Sequence, residues 1–402
     1  MNAASHNQGD WSTWSETVPY SLGAEEELML LNPGDWSLAQ QSERVFAHIT
    51  PELKGHLTGE TQSSVVELST GVHERVAGLA EELARLRGTL EDELSTLALR
   101  AASAGTHPFT VWHETVVSSE PRYQLVYGSM RELARREPTF ALHVHVGVPD
   151  AEDAIRLVNR LRAHIPLLLA LSVNSPFWQG RDSGLASART PLFQAFPRVG
   201  IPRAFRDFED WRSTVELLIR CEAFPEPTFL WWDVRPQPRF GTVEIRIFDA
   251  QTRVPETAAL CALVQCLARL EIEEGYVDSL LVESPEILDE NRFLAARDGM
   301  DAELIDPGLS QRVPACSILD DLLAACAPHA EDLGCETEIE GVRELAGKTG
   351  ARSQIELARG PYRLKGLVTA LADSYAGLET LESAAPAADH LSVGSVRRRE
   401  GR

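Results

Sequence analysis

Several stretches of this chain alternate between apolar and ionisable residues, which in a strand places the two classes on opposite faces. In Thr242–Phe248 (TVEIRIF), Val243, Ile245 and Ile247 form one face, and Thr242, Glu244 and Arg246 the other. LGAEEELML puts Glu25 and Glu27 together, with Leu28 and Leu30 opposed. ALHVHVGV pairs His143 with His145 against Leu142, Val144 and Val146, and SSVVELS sets Glu67 between apolar neighbours. Strands are predicted near Ser21–Leu31, Ser64–Ser69, Thr139–Val148, Thr228–Val234 and Thr242–Phe248.

The helical period marks Val76–Ala102, Ala151–Val173, about Phe208–Glu222 and about Pro255–Leu281. From Pro285 onward the pattern is almost wholly helical: PEILDENRFLAARDGMDAELI, SILDDLLAACAPHAEDL, ETEIEGVRELAG and a last segment near Tyr362–Leu381. Early strands with interspersed helices, then a helical C-terminal third, predict an α+β protein without the cadence of a doubly wound sheet. No internal repeat or low-complexity linker interrupts the middle. One continuous domain is expected over residues 17–382, between a mobile polar lead (1–16) and a mobile tail (383–402) ending RRREGR.

Charge narrows the function. Across 402 residues, 38 basic against 60 acidic side chains give −22. Such a surface repels nucleic acid and anionic membrane, so neither is an expected partner. The first twenty residues lack a basic start followed by an apolar run, so no signal peptide is read. The longest apolar stretch, Ile165–Val173, is too short to span a bilayer. Six sparse cysteines form no CxxC pair, and Cys261 and Cys266 are expected to be buried thiols. A cytoplasmic protein is expected.

What the strands carry is unusual. A carboxylate or imidazole flanked by apolar residues is costly to bury unless paired or metal-bound. One such strand is ordinarily a half-solvated sheet. Here several carry Glu and His, so like charges converge and need cations between them. Glutamates with a histidine suit Mg²⁺ or Mn²⁺; Zn²⁺ is disfavoured without HExxH or cysteine pairs. WWDVRPQPRFGTVEIR adds Arg235, Arg239 and Arg246, guanidinium forks that fit phosphate and carboxylate oxygens.

Together, SLGAEEELMLLNP, GETQSSVVELSTGV, HVHVGVPD, ARTPLFQAFPRVGIP, WWDVRPQPRFGTVEIRIFDAQT and ENRFLAARDGMDAELID resemble, in order, segments of the bacterial carboxylate–amine ligases, the glutamate–cysteine ligase type 2 family. The resemblance runs from about Val18 to Gly350–Gln354. It implies a glutamine-synthetase-like catalytic domain: an antiparallel sheet curved into a funnel, helices outside, ATP and metals inside. It also implies weak glutamate–cysteine ligase activity through an acyl phosphate, with L-glutamate and L-cysteine as substrates and ATP and Mg²⁺ (or Mn²⁺) as cofactors. By resemblance, the metal ligands are Glu25, Glu27, Glu60, Glu67, His143 and Glu244. His145 faces the nucleotide phosphates, Arg246 touches the transferred phosphoryl group, and Arg235 and Arg239 meet ATP or a substrate carboxylate. Glu60 and Glu67 are seven apart, so a bulge or loop at Gly59 must bring them to one side.

Other signals are set aside. GKT in ELAGKTGARS lacks the phosphate-loop glycine, because Val342 stands where it is needed. GxGxxG and GxSxG are absent. Asn174, Trp178 and Arg189 lie in a Gly/Ser-rich loop that is either a substrate cover or an ordinary connection. His56, His73, His107, His113, His164, His329 and His390 are read as structural or solvated. The competing functions are a same-fold ligase or kinase with another amine or a guanidino acceptor, a divalent-metal hydrolase, and a weak paralogue kept for binding. Whether the protein is a homo-oligomer is open.

Overall fold

The computed structural model describes residues 11–135, 138–359 and 363–378. Seven strands build its main sheet: β1 (Leu22–Leu31), β2 (Leu57–Gly59), β3 (Val65–Ser69), β4 (Arg100–Ala102), β5 (Leu142–Gly147), β6 (Val234–Gln237) and β7 (Thr242–Ile245). Their order is β6-β7-β5-β1-β3-β2, with β4 also on β1, and the pairs are antiparallel.

The predicted alternation decides which way the sheet faces. Leu22, Ala24, Leu142, Val144, Val146, Val243 and Ile245 are buried against the Ala151–Ser172 and Val254–Glu273 helices. Each fully buried Leu, Val or Ile side chain there contributes about 2 kcal/mol from removal of apolar surface from water. The other face carries the glutamates and histidines and lines a cavity. The Val76–Thr96 helix continues the packed layer toward the β2 edge, burying Leu79, Leu83, Leu86, Leu90 and Leu94 at helical spacing.

Several boundaries move. The first long helix ends at Thr96, because Ala98 turns through a φ of 55° and Arg100–Ala102 pairs with Met29–Leu31 as β4. The expected Pro255–Leu281 helix stops at Glu273; Gly275, at a φ of +66°, breaks it before the short Ser279–Val282 helix. The predicted strand at Thr228–Val234 is instead a 3-10 turn, a two-residue strand and then β6. β6 contains Pro236, which an outer strand tolerates because one of its edges has no neighbouring strand to bond. The helical C-terminal third contains one hairpin, Glu303–Asp306 with Gln311–Pro314. Pro121–Met130 forms a helix that none of the predicted elements covers.

Part of the expected lead is docked. Trp11 meets Trp211 edge-on at 6.2 Å, and the Trp14 indole donates to the Val148 carbonyl at 2.7 Å. Residues 1–10 and the expected tail lie outside the described residues. Cys261 and Cys266 are buried as expected. Among the described residues, no helix is long and apolar enough to cross a membrane.

Candidate active site

Strand register assembles the site. Antiparallel pairing sets Glu25 opposite His143, Glu27 opposite Glu67 and Glu244 opposite His145. All six side chains project from the face away from the helices, into a cavity of about 390 Å³. Glu60 follows the last residue of β2 and lines the same cavity, so a strand end resolves the seven-residue spacing without a bulge.

Two groups of potential ligands form there, Glu25–His143–Glu244 and Glu27–Glu67–His143, each with ligand atoms within 4.8 Å of one another. His143 stands between them. Its Nδ1 is 3.3 Å from Glu25, 3.9 Å from Glu67 and 4.0 Å from Glu244, and its Nε2 is 3.9 Å from Glu27. His145 Nε2 is 3.5 Å from Glu25, while its Nδ1 meets the Thr242 hydroxyl at 3.0 Å. Glu60 lies outside both groups and accepts from the Thr61 N–H at 3.0 Å.

Electrostatics divides the carboxylates. Burial alone would raise Glu244, but the charges of Arg235 and Arg246, with His145 and His143, hold it well below the usual carboxylate range. Glu25 is lowered too: His145's charge and hydrogen bonds from both histidines outweigh its burial. Glu27 is pushed up to about 7 by burial and the neighbouring Glu60. Burial raises Glu60 as well, and it drives Glu67 well above its ordinary value with help from Glu25, Glu60 and Glu27. Burial and Arg246 depress His143 to about 4, leaving the neutral imidazole that a metal requires.

A divalent ion fits these donors. The Nε2 atom of His143 is buried without a hydrogen-bond partner, and the raised carboxylates are those with least cationic compensation. Carboxylate oxygens with one imidazole nitrogen match hard cations such as Mg²⁺ or Mn²⁺.

The arginines separate by what they already hold. Arg235 is committed: it donates to Glu244 at 2.7 and 3.2 Å and to the Thr228 and Leu230 carbonyls at 3.0 and 2.7 Å. Gln237 adds a 2.6 Å bond to Glu244. Arg246 bonds Glu244 and approaches His143 Nδ1 at 3.3 Å, with its Nε–H unpartnered. Arg239 stands outside the cavity lining, 3.7 Å from Glu226.

Of the loop residues, Arg189 lines the cavity, Asn174 is buried beneath it in bonds to Ala250 and Thr252, and Trp178 is exposed. Tyr123, Arg122 and Phe240 also line the cavity and were not singled out from sequence. Tyr123 and Arg122 come from the Pro121–Met130 helix, whose only cue was Pro121 directly after Glu120, an N1 proline.

Solved structures share this architecture. A glutamate–cysteine ligase of Francisella tularensis in complex with AMP aligns with a TM-score of 0.64 at 11% identity, over 92% of this chain and 91% of that one. A bifunctional glutathione synthetase of Pasteurella multocida gives 0.65 at 14%, over 89% of this chain and 52% of the other. At such identities the likeness concerns the fold. Closer sequences exist in bacteria. A Rubrobacter xylanophilus protein with the provisional name glutamate–cysteine ligase 2-3 is 41% identical over 89% of this chain and 98% of its own length. A similarly named protein of Gloeobacter violaceus is 35% identical over 91% and 98%. The model of the glutamate–cysteine ligase family 2 matches residues 21–373, and with these relatives it shows that the chain belongs to that family.

Proposed function

We propose that this chain is an ATP- and Mg²⁺-dependent ligase that joins the side-chain carboxylate of L-glutamate to the amine of L-cysteine. The observation that carries this reading is the pair of ligand groups sharing His143 on one sheet face, where several buried carboxylates are tolerable only with cations among them.

A carboxylate is a poor electrophile because its leaving group is oxide. Attack of its oxygen on the γ-phosphorus of ATP releases ADP and gives an acyl phosphate. The amine nitrogen then displaces phosphate and loses a proton as the amide forms. The protein's work is positioning and charge neutralisation. Glu25, Glu27, Glu67, His143 and Glu244, with Glu60 beside them, would hold the metal ions. Bound there, the cations would screen the triphosphate from the incoming carboxylate. Arg235 and Gln237 lock the Glu244 carboxylate in one orientation, and Arg246 presents a cation beside it for charge on the moving phosphoryl group.

Glu27→Gln tests this. ADP release dependent on both an acid and an amine should fall by about a hundredfold or more, in line with losses when metal sites are damaged. Undiminished turnover would overturn the metal assignment. Hydrolysis of a substrate without ATP would favour a divalent-metal hydrolase. Product masses from amino-acid pairs would separate cysteine from another amine, or from a guanidino acceptor.

A further inference from the structure

The Trp11–Ser21 segment runs along the end of the main sheet where β5 stops and β6 turns into β7. The Trp14 indole donates to the Val148 carbonyl at 2.7 Å, and the Ser15 N–H to the Pro238 carbonyl at 2.9 Å. Further on, Tyr20 donates to the Gly147 carbonyl at 2.8 Å, and Gly147 donates back to the Ser21 carbonyl at 2.7 Å. The backbones lie so close that side chains are excluded. A Cβ at Gly147 would collide with the Val18 carbonyl, and one at Gly241, whose φ is +65°, with the Ser15 carbonyl. Val148 in turn donates to the Gly241 carbonyl at 2.9 Å, so the segment, the end of β5 and the turn form one bonded unit.

Aromatic rings fasten the segment on its other side. Trp14 meets Phe208 edge-on at 5.9 Å, as Trp11 meets Trp211 at 6.2 Å. Phe208 and Trp211 themselves stack at 5.4 Å on the Phe208–Arg220 helix. Such ring pairs add to the burial of their area, and they tie the segment to a packed helix.

The turn needs outside support. β6 is the outer strand, with a neighbouring strand along one edge, and Pro236 and Pro238 leave this stretch short of donors. Arg239 reaches Glu226 at 3.7 Å from the far side. Two groups on this stretch face the cavity. Gln237, the last residue of β6, donates to Glu244 at 2.6 Å, and the Phe240 ring stands edge-on to His145 at 5.9 Å. Neither Trp14 nor Ser15 lines the cavity itself.

We infer that Trp14 is a positioning residue for the cation site: it seats the Trp11–Ser21 segment against the Pro238–Gly241 turn, and the turn keeps Gln237 on Glu244. This rests on the reading of Glu244 as a metal ligand. Arg235 and Arg246 bring charge to that carboxylate, whereas Gln237 brings a neutral donor whose place depends on the turn. Losing a partner that orients a ligand costs roughly ten- to a hundredfold in metal affinity. Trp14 acts one step further out and weighs at the lower end.

The test measures Mn²⁺ binding by calorimetry on the full chain without nucleotide. Trp14→Ala should weaken it by about tenfold. Trp14→Phe, which keeps a ring against Phe208 and loses the bond to Val148, should lie between Trp14→Ala and wild type. In a Gln237→Ala background, Trp14→Ala should weaken binding by less than about twofold more, because both changes remove the same support. Hydrogen exchange of the metal-free protein gives a second reading. The Phe240 and Gly241 amides should exchange about fivefold faster in Trp14→Ala, the weight of one lost hydrogen bond, with the Val76–Thr96 helix unchanged. Equal Mn²⁺ affinity in wild type and variant, full additivity with Gln237→Ala, or exchange that is unchanged at the turn or faster throughout the fold would each overturn the inference. Should Trp14→Ala not fold, Trp14→Phe carries the same three comparisons. Absence of Mn²⁺ binding by wild type would instead end the metal reading, and this inference with it.

Discussion

A buried histidine away from the site shows how much one ring can weigh. His107 Nδ1 accepts the Phe109 and Thr110 N–H groups at 3.3 and 3.0 Å, so its Nε2 must carry the proton it gives to the Trp36 carbonyl at 2.9 Å. The fold therefore wants the neutral ring, and burial pushes it down from 6.5 to about 4. For a depressed histidine the stabilisation is present above the unfolded value of 6.5 and is lost as pH falls toward 4, because the unfolded chain binds the proton first. The gap is worth about 3 kcal/mol. Urea unfolding at pH 7 and pH 4.5 should show a smaller pH-dependent loss in His107→Gln than in wild type. Equal losses would mean the ring is hydrated in solution. The same logic runs the other way for Glu27, where burial favours the protonated acid and a cation is needed to restore the carboxylate.

Among elements, β1 does two jobs because its faces differ. Glu25 and Glu27 point into the cavity, while Glu26, between them, points into the helical layer and is fully buried. Arg87, from the Val76–Thr96 helix, meets it bidentately at 2.8 and 2.7 Å and also donates to the Thr252 and Gln251 carbonyls. Thr257 adds a 2.7 Å bond to Glu26, and the Tyr375 ring lies 4.7 Å from the guanidinium. Four segments are thus pinned to the strand that supplies two cavity glutamates. Removing one partner strands a buried charge, so Arg87→Met should cost about 3–5 kcal/mol. Combining it with Glu26→Met should recover much of that loss. A double variant as unstable as the sum of the singles would show that the two residues act separately.

For the molecule as a whole, the net charge of −22 and the acidic cavity point to one dependence. A divalent cation that binds the folded chain alone stabilises it by mass action, about 2.7 kcal/mol at a hundred times its Kd. Thermal unfolding with Mn²⁺ should therefore shift upward by several degrees, and Glu67→Gln should lose most of that shift. An equal shift in the variant would assign the effect to the acidic surface instead of the cavity.

Much of the site was legible in the chain. The face shared by Glu25 and Glu27, by His143 and His145, and by Glu244 and Arg246 follows from backbone geometry within a few residues, as does the burial of Val243, Ile245 and their neighbours. The helical spacing of Leu79, Leu83, Leu86, Leu90 and Leu94 was equally local. Other features depend on distance in space: which arginine neutralises which glutamate, and why Arg235 is committed to Glu244. Glu25 and His143 are 118 residues apart, and only strand register brings them to 3.3 Å. Coulomb energy and desolvation depend on separations and burial that no run of neighbouring residues encodes. The sequence by itself therefore determined the chemical kinds on each face. The tertiary structure decided their pairing, and with it which carboxylates are neutralised by arginine and which are not.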